Sequence, residues 1–393
     1  MCRLILLAVG AAPLSFDAAL AQVDATPELT GAWRAAEVRR LGLDTLSRLT
    51  ANPLVVLQPG MRSDPASIGP EGQLTVSQAF NLGGLARARR DVATSEAAQA
   101  RLERQLLRRE RRVAVGRAWL SAWASHAAAA AAHAERAQSQ ELVLRLERAV
   151  ASGGATRVEL ATARAFAAEA QALALDWEGR EAEARAELGR LLGARELPHV
   201  DGPLPALDDV AEDVAPQRAA RLQARRLELE AQGEAQRSVE VQAQWATQLN
   251  LSLQGGHERP GQWYGNVGVG VTLPAFERGQ RERSAHQANS ERLAGQQAQA
   301  EAEADVEWAA TLHELEHTRR AYEVVSGVQL PAALEAAELE QQLYARGEAT
   351  LLELTLLRRQ ALAARIAALV AEANRVAARA RARELLDAQE GAP

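Results

Sequence analysis

Two stretches decide the fold: ASGGATRVELATAR from Ala151 to Arg164, and ARGEATLLELTLLR from Ala345 to Arg358. Aligned without a gap, Ala151, Gly153, Ala155, Thr156, Glu159, Leu160 and Arg164 recur as Ala345, Gly347, Ala349, Thr350, Glu353, Leu354 and Arg358. The same offset sets Leu191 and Leu192 on Leu385 and Leu386. A second echo lies upstream of each: Phe80-x-x-Gly83 with Arg87, and Phe276-x-x-Gly279 with Arg283. Each half therefore has the order strand-like run, Phe-x-x-Gly, long helical run, glycine turn, helical run. Such a duplicated unit sets the architecture before any local structure is read.

From Gly84 to about Val150 the pattern is helical and almost free of breakers. At about 1.5 Å per residue this is roughly 100 Å of helix, which needs other long helices beside it. After the Ser152-Gly153-Gly154 turn a second helix is predicted from Thr156 to Leu192. A helix from about Thr30 to Leu49 precedes the first strands, and another follows Asp213-Val-Ala-Pro216 up to Trp245. The second half returns to helix from Arg278 to Gly327, then from Pro331 past Gly347 to about Asp387.

Thr247 to Gln254 alternates Leu249, Leu251 and Leu253 with polar residues, and Asn266 to Leu273 alternates Val267, Val269 and Val271 with small polar ones. Period-two alternation predicts strands with one apolar and one polar face. The first half has a weaker pair, Leu54 to Leu57 and Gln73 to Phe80, flanking a Pro/Gly-rich loop from Pro59 to Gly72. Four strands with a lipid face cannot close a pore, because small barrels start at about eight strands. A barrel would have to be shared between protomers, since an open edge in hydrocarbon leaves backbone groups unpaired. Trp245, Trp263 and Tyr264 lie near the strand ends, where aromatic girdles are expected.

The chain has 393 residues, is rich in Ala, Leu, Glu and Arg, has no lysine, and carries a net charge of -6. That balance gives no reason to expect nucleic acid. Residues 1–21 read as a secretory leader: Arg3, an apolar stretch from Leu4 to Leu14, and Ala19-Leu20-Ala21 before Gln22. The only cysteine, Cys2, would leave with it. The expected organisation is residues 1–21 leader, 22–200 first repeat and 201–393 second repeat. Nothing after residue 21 offers the roughly 18 apolar residues of a helical span.

These features together resemble the TolC-type outer-membrane efflux proteins. The residues carrying the resemblance are Phe80-x-x-Gly83-Gly84, Leu273-Pro274-x-Phe276-x-x-Gly279 and Tyr344-x-x-Gly347-x-x-Thr350-Leu-Leu-Glu353-Leu, and it runs from about Asn52 to Leu386. Asn81-Leu82-Gly83-Gly84 is further similar to the heavy-metal (cobalt–zinc–cadmium) branch. The resemblance implies a mainly α fold. Two repeats of long antiparallel helical hairpins would build a coiled-coil α-barrel, and four β-strands would contribute to a trimeric transmembrane β-barrel. It implies a homotrimer in the outer membrane with a periplasmic extension, working with a periplasmic adaptor protein and an inner-membrane pump. The implied activity is passive export of small molecules or metal ions in a tripartite efflux or type I secretion-like system, with no catalysis and no cofactor.

The resemblance also places sites. Ser152, Gly153, Gly154, Arg346, Gly347 and Glu348 form the hairpin tips that would meet the adaptor. Glu353, with Glu159 at the same place in the first repeat, falls on an acidic gate at the periplasmic mouth. The family's second acid three residues on is Leu356 here. Phe80, Gly83, Pro274, Phe276 and Gly279 mark the strand–helix junctions.

His313-Glu-Leu-Glu-His317 matches the H-E-x-x-H zinc-hydrolase pattern, with Glu314 or Glu316 as base. Its context reads otherwise. Trp308, Thr311, Leu315, Thr318, Tyr322 and Val325 form a 3-4 spaced seam on this helix, which points both histidines away from the seam. No third ligand follows at a metzincin spacing. Two rival readings remain open: a periplasmic coiled-coil scaffold or adaptor without a barrel, and a helical zinc hydrolase using His313 and His317. The alternating strands and the duplicated Phe-x-x-Gly junction argue against the first.

Overall fold

The structure, a computed structural model, describes residues 13–44, 51–64, 67–207, 221–259 and 262–386. Among them the chain runs α1 (Phe16–Gln22), a 3₁₀ turn (Val23–Ala25), α2 (Pro27–Asp44), β1 (Leu54–Asp64), β2 (Ser67–Asn81), α3 (Leu85–Ala151) and α4 (Arg157–Leu192). The second half runs α5 (Leu222–Gln244), β3 (Gln248–Arg259), β4 (Gln262–Thr272), α6 (Gln280–Val324), a π-turn (Val325–Gln329), α7 (Leu330–Arg346) and α8 (Leu351–Leu386). The repeat is visible in the lengths. α4 and α8 have 36 residues each, and the 67 residues of α3 correspond to pieces of 45, 5 and 17 residues in the second half.

The chain divides into two compact units, and each draws on both repeats. One comprises Met1–Thr30, Leu106–Arg221 and Glu303–Pro393; the other comprises Gly31–Gln105 and Leu222–Ala302. The expected boundary near residue 200 separates sequence repeats, whereas the compact units cut across both.

In the second unit the four strands form one antiparallel sheet of order β1-β2-β3-β4. The strands extend further than alternation alone predicts. Pro59 pairs with Gly72 and Met61 with Pro70, inside the stretch read as a loop. β1 is an edge strand, and a proline is tolerated there because the missing N–H leaves no ladder bond open. Gly255 and Gly256 likewise pair with Gly265 and Tyr264. Direct partners put Val55, Leu57, Leu74, Val76, Leu251, Leu253, Val267, Val269 and Val271 on one face, because residues opposite in a ladder share a face. All nine are exposed in the single chain.

Two junctions join this sheet to its helices. At the first, Asn81 accepts from the Gly83 N–H at 2.9 Å and donates to the Ala243 carbonyl at 2.7 Å. Gly84, with φ 78°, precedes α3, and Gly279, with φ 68°, precedes α6. The structural equivalent of Gly279 is therefore Gly84, one residue past the Gly83 that the Phe-x-x-Gly echo selects. Gly83 has a separate reason: a Cβ there would lie 2.2 Å from the Ala246 Cβ. Phe80 and Phe276 also diverge. Phe80 sits in the ladder opposite Leu249, whereas Phe276 is 97% exposed.

The first unit has the larger core. Phe16, Ala19, Val23 and Leu29 pack with Val115, Trp119, Leu120, Leu188, Val200 and Val376. The Phe16 and Trp119 rings meet edge to face at 5.5 Å, and the Trp119 indole donates to the Leu14 carbonyl at 2.7 Å. Residues 1–12 of the expected leader lie outside the described residues. The rest of it, up to Ala21, supplies Phe16 and Ala19 to this core.

Candidate functional site: the paired hairpin tips

The repeated segment owes its residue types to helix-end chemistry. At the first tip α3 ends with the Gly154 N–H donating to the Ala149 carbonyl at 2.7 Å and Gly153 at φ 78°. At the second, α7 ends with the Glu348 N–H donating to the Leu343 carbonyl at 3.0 Å and Gly347 at φ 76°. These are left-handed C-terminal caps, and glycine takes that backbone without a Cβ clash.

Three residues past each glycine the next helix begins with a capping box. The Glu159 N–H donates to the Thr156 hydroxyl at 3.1 Å, and the Glu159 carboxylate accepts from the Thr156 N–H at 2.7 Å and its hydroxyl at 2.8 Å. Glu353 and Thr350 repeat the pattern, with carboxylate contacts of 2.9 and 2.8 Å and the return bond at 3.3 Å. The two partners satisfy each other's otherwise orphaned donors at the helix start. Thr-x-x-Glu before an apolar run is a sequence signature of this box. It explains the recurrence of Thr and Glu before any gate is invoked.

Both carboxyls are held below the ordinary carboxylate range, first by the threonine backbone N–H and then by the hydroxyl. They stay ionised and lie at the surface. Each is thus at once a cap and a fixed negative charge.

The tips are one apolar cluster. Leu146 and Ala163 of the first hairpin pack with Leu351 and Leu354 of the second, and Leu142, Val143, Ala155, Leu160 and Tyr344 close around them. Tyr344 crosses to the first tip, where burial and then the Glu159 charge push its hydroxyl pKa up. In the sequence Tyr344 stands out only through the family resemblance, which assigns it no role. The final repeated arginines part company. Arg164 pairs with Glu147 at 2.8 Å within its own hairpin, whereas Arg358 pairs with Glu135 of α3 at 2.9 Å. Ser152, Gly153, Gly154, Arg346, Gly347 and Glu348 are all exposed.

His313 and His317 are exposed on α6. Glu314 pairs with Arg381 at 3.0 Å, and Glu316 is shared by Arg319 and Arg320. Both would-be catalytic acids are therefore neutralised by arginine. Among the described residues no group of three or more His, Cys, Asp or Glu side chains is placed to hold a metal ion. Of the seam residues, Trp308 is 5% exposed and Thr311 fully buried, whereas Leu315, Thr318, Tyr322 and Val325 are half-buried. His317 borders a cleft of about 660 Å³ walled by Phe166, Leu173, Trp177 and Ile366.

Two duplicated helical hairpins attached to a four-stranded sheet define the fold class of the TolC-type outer-membrane channels. Solved structures make the likeness specific. The CmeC outer membrane channel of Campylobacter jejuni matches with a TM-score of 0.79 at 14% identity, over 96% of this chain and 88% of that one. The outer membrane protein VceC of Vibrio cholerae matches with a TM-score of 0.70 at 18% identity, over 94% of this chain and 95% of that one. The MtrE outer membrane channel of Neisseria gonorrhoeae, in its open state, matches with a TM-score of 0.72 at 18% identity, over 95% of this chain and 89% of that one. No protein-family profile matches the chain. No curated protein matches it by sequence.

Proposed function

We propose that this chain is one protomer of a homotrimeric outer-membrane conduit, which passively passes small molecules or metal ions for a tripartite efflux or type I secretion-like system. The observation that carries this reading is the sheet. Its apolar face spans all four strands, and among the described residues β1 and β4 have no partner at their outer edges. Exposed leucine and valine on one continuous face suit hydrocarbon, and hydrocarbon forbids open edges. Three copies in a ring supply the missing strands and remove the edges. Trp263, 79% exposed and in phase with Val267 and Val269, sits where a girdle residue belongs. No described helix is long and apolar enough to cross a membrane, so the sheet is the candidate membrane element.

In this reading the α3–α4 and α7–α8 tips are the surface that meets a periplasmic adaptor, itself joined to an inner-membrane pump. Glu159 and Glu353 then ring the mouth with fixed negative charge, which favours cations at a constriction. Envelope fractionation and native electrophoresis of the detergent extract test the reading. A heat-sensitive trimer in the outer membrane supports it, and a water-soluble monomer sinks it.

A further inference from the structure

The polar face of the sheet, opposite its leucines and valines, has a pattern of its own. Direct partners put Gln73, Gly256 and Tyr264 in one row across β2, β3 and β4. The next row toward the helices is Thr75, Gln254 and Asn266. Among the residues joined in these rows, from Gly72 to Asn81, Gln248 to His257 and Trp263 to Thr272, only Gly256 is buried. Its backbone is not left-handed, so conformational freedom does not account for a glycine there. Glycine weakens a strand, and in a strand interior it often marks a close approach by another group.

The approaching group is Tyr264. A Cβ built on Gly256 would lie 2.6 Å from the Tyr264 hydroxyl oxygen and 2.7 Å from the ring carbon that bears it. It would also lie 2.7 Å from the Gly72 carbonyl oxygen. Strand side chains ordinarily stand perpendicular to the sheet. Tyr264 instead leans across its own row onto the neighbouring strand. Its hydroxyl donates to the Gln73 amide oxygen at 3.4 Å, and the Gln73 amide nitrogen donates to the Thr75 hydroxyl at 3.2 Å. The phenol thus covers the glycine while the glutamine holds its tip. Gly268 repeats the device on a smaller scale: a Cβ there would lie 2.5 Å from the hydroxyl oxygen of Ser252, its direct partner.

In the conduit reading, on which this inference rests, the polar face is the inner wall. The Gln73–Gly256–Tyr264 row then lies toward the outer end, with about 26 Å of strand between it and the Asn81 junction. We propose that Gly256 is a seat that keeps the Tyr264 phenol flat against the inner wall, so that this row sets how large a molecule can pass the outer end of the conduit. A side chain at position 256 would take the space of the ring and turn it into the passage. Passage by size is a matter of the groups that line the wall and of how far they stand off it.

Thiol labelling from outside, on whole cells that carry the full-length protein, provides the test. Cys2 is the only cysteine, so Cys2→Ser gives a thiol-free parent. Asn266→Cys puts a thiol on the polar face one row inside the seat, and Val267→Cys puts one on the opposite face; both positions are exposed. A small membrane-impermeant maleimide should label Asn266→Cys and spare Val267→Cys. Equal labelling of the two, or none, overturns the conduit reading and the seat with it. With the passage established, Gly256→Ala should slow a bulky polymer-linked maleimide at Asn266→Cys about tenfold, and the small one by less than about twofold. Adding Tyr264→Ala to Gly256→Ala should restore the bulky rate. That restoration separates the ring from strain against the Gly72 carbonyl, which both variants share. An unchanged bulky rate in Gly256→Ala overturns the proposal, as does a slow rate that Tyr264→Ala leaves in place. If Gly256→Ala forms no trimer on native gels, Tyr264→Ala alone decides. A ring already flat on the wall leaves the bulky rate within about twofold of the parent, and a larger rise refutes the seat.

Discussion

Arg358 lies against Glu135 at 2.9 Å with both side chains largely buried, at 14% and 12% exposure. This pair joins α8 to α3, and so one half of the duplicated chain to the other. The guanidinium also donates to the Gln138 side chain at 2.6 Å and lies 5.9 Å from the centre of the Phe166 ring. Removing one member of a buried pair strands the other charge and typically costs about 3–5 kcal/mol. Arg358→Met should therefore destabilise the helical unit by about that amount in denaturant melts. Pairing it with Glu135→Gln should recover most of the loss. A double variant as unstable as the single one would show that packing of the arginine stem, not charge, dominates.

The capping boxes separate structure from charge at the tips. Thr156→Ala keeps the Glu159 carboxylate but removes its partner hydroxyl, and should cost about 1 kcal/mol of stability. Glu353→Gln does the reverse, since glutamine also serves at the third position of a capping box. Its fold should be unchanged by circular dichroism and melting. If Glu353 also rings a cation-selective mouth, the same variant must lower cation over anion selectivity in planar-bilayer recordings. Unchanged selectivity leaves Glu353 as a cap alone.

Acid should loosen the tips before it loosens the helices. The folded-state pKa values of Glu159 and Glu353 lie below the 4.5 of the free side chain, because threonine donors bind the ionised form. Their contribution is complete above pH 4.5 and is lost as pH falls through the lowered values. Tyr344 works from the other side. Its raised pKa favours the neutral phenol, so its contribution fades as pH climbs past the ordinary value of 10. Hydrogen exchange at the amides of Glu159 and Glu353, corrected for intrinsic rates, should be slowest between these limits.

How much of this was legible in the sequence differs by element. The duplicated Gly-x-Ala-Thr segment exposes both hairpins, because a left-handed glycine and a threonine cap are local requirements written at fixed spacing. β3 and β4 are legible because one apolar and one polar face alternate along each. β1 is legible only at its start, from Leu54 to Leu57: Pro59 and Gly60 read as a loop, and only pairing with β2 makes them strand. Glu159 and Glu353 stand out as gate candidates only through the family resemblance, whereas the Thr-x-x-Glu spacing from Thr156 and Thr350 announces a capping box directly. The π-turn was hidden for another reason. Gly327 and Pro331 read as the end of one helix and the start of the next, because both are helix breakers, whereas the backbone carries the helix through them as the Val325–Gln329 turn.

The N-terminal segment provides the last test, because one short apolar stretch suits two roles. Phe16-Asp-Ala-Ala-Leu-Ala21 reads as the end of a leader, yet in the fold it is a helix capped by Ser15, with Phe16 and Ala19 buried. The Leu14 N–H donates to the His199 carbonyl at 2.7 Å, which ties the segment to the linker after α4. A chain started at Gln22 loses the Phe16–Trp119 contact and leaves the Trp119 indole without its carbonyl partner. Truncating a large buried aromatic costs about 3–5 kcal/mol, and an orphaned buried donor adds about 1–3 kcal/mol. The chain started at Gln22 should therefore melt well below one started at Pro13. Phe16→Ala in the longer chain should account for the greater part of the difference. Equal melting of the two chains would mean that residues 13–21 contribute no packing and are free to be removed as a leader.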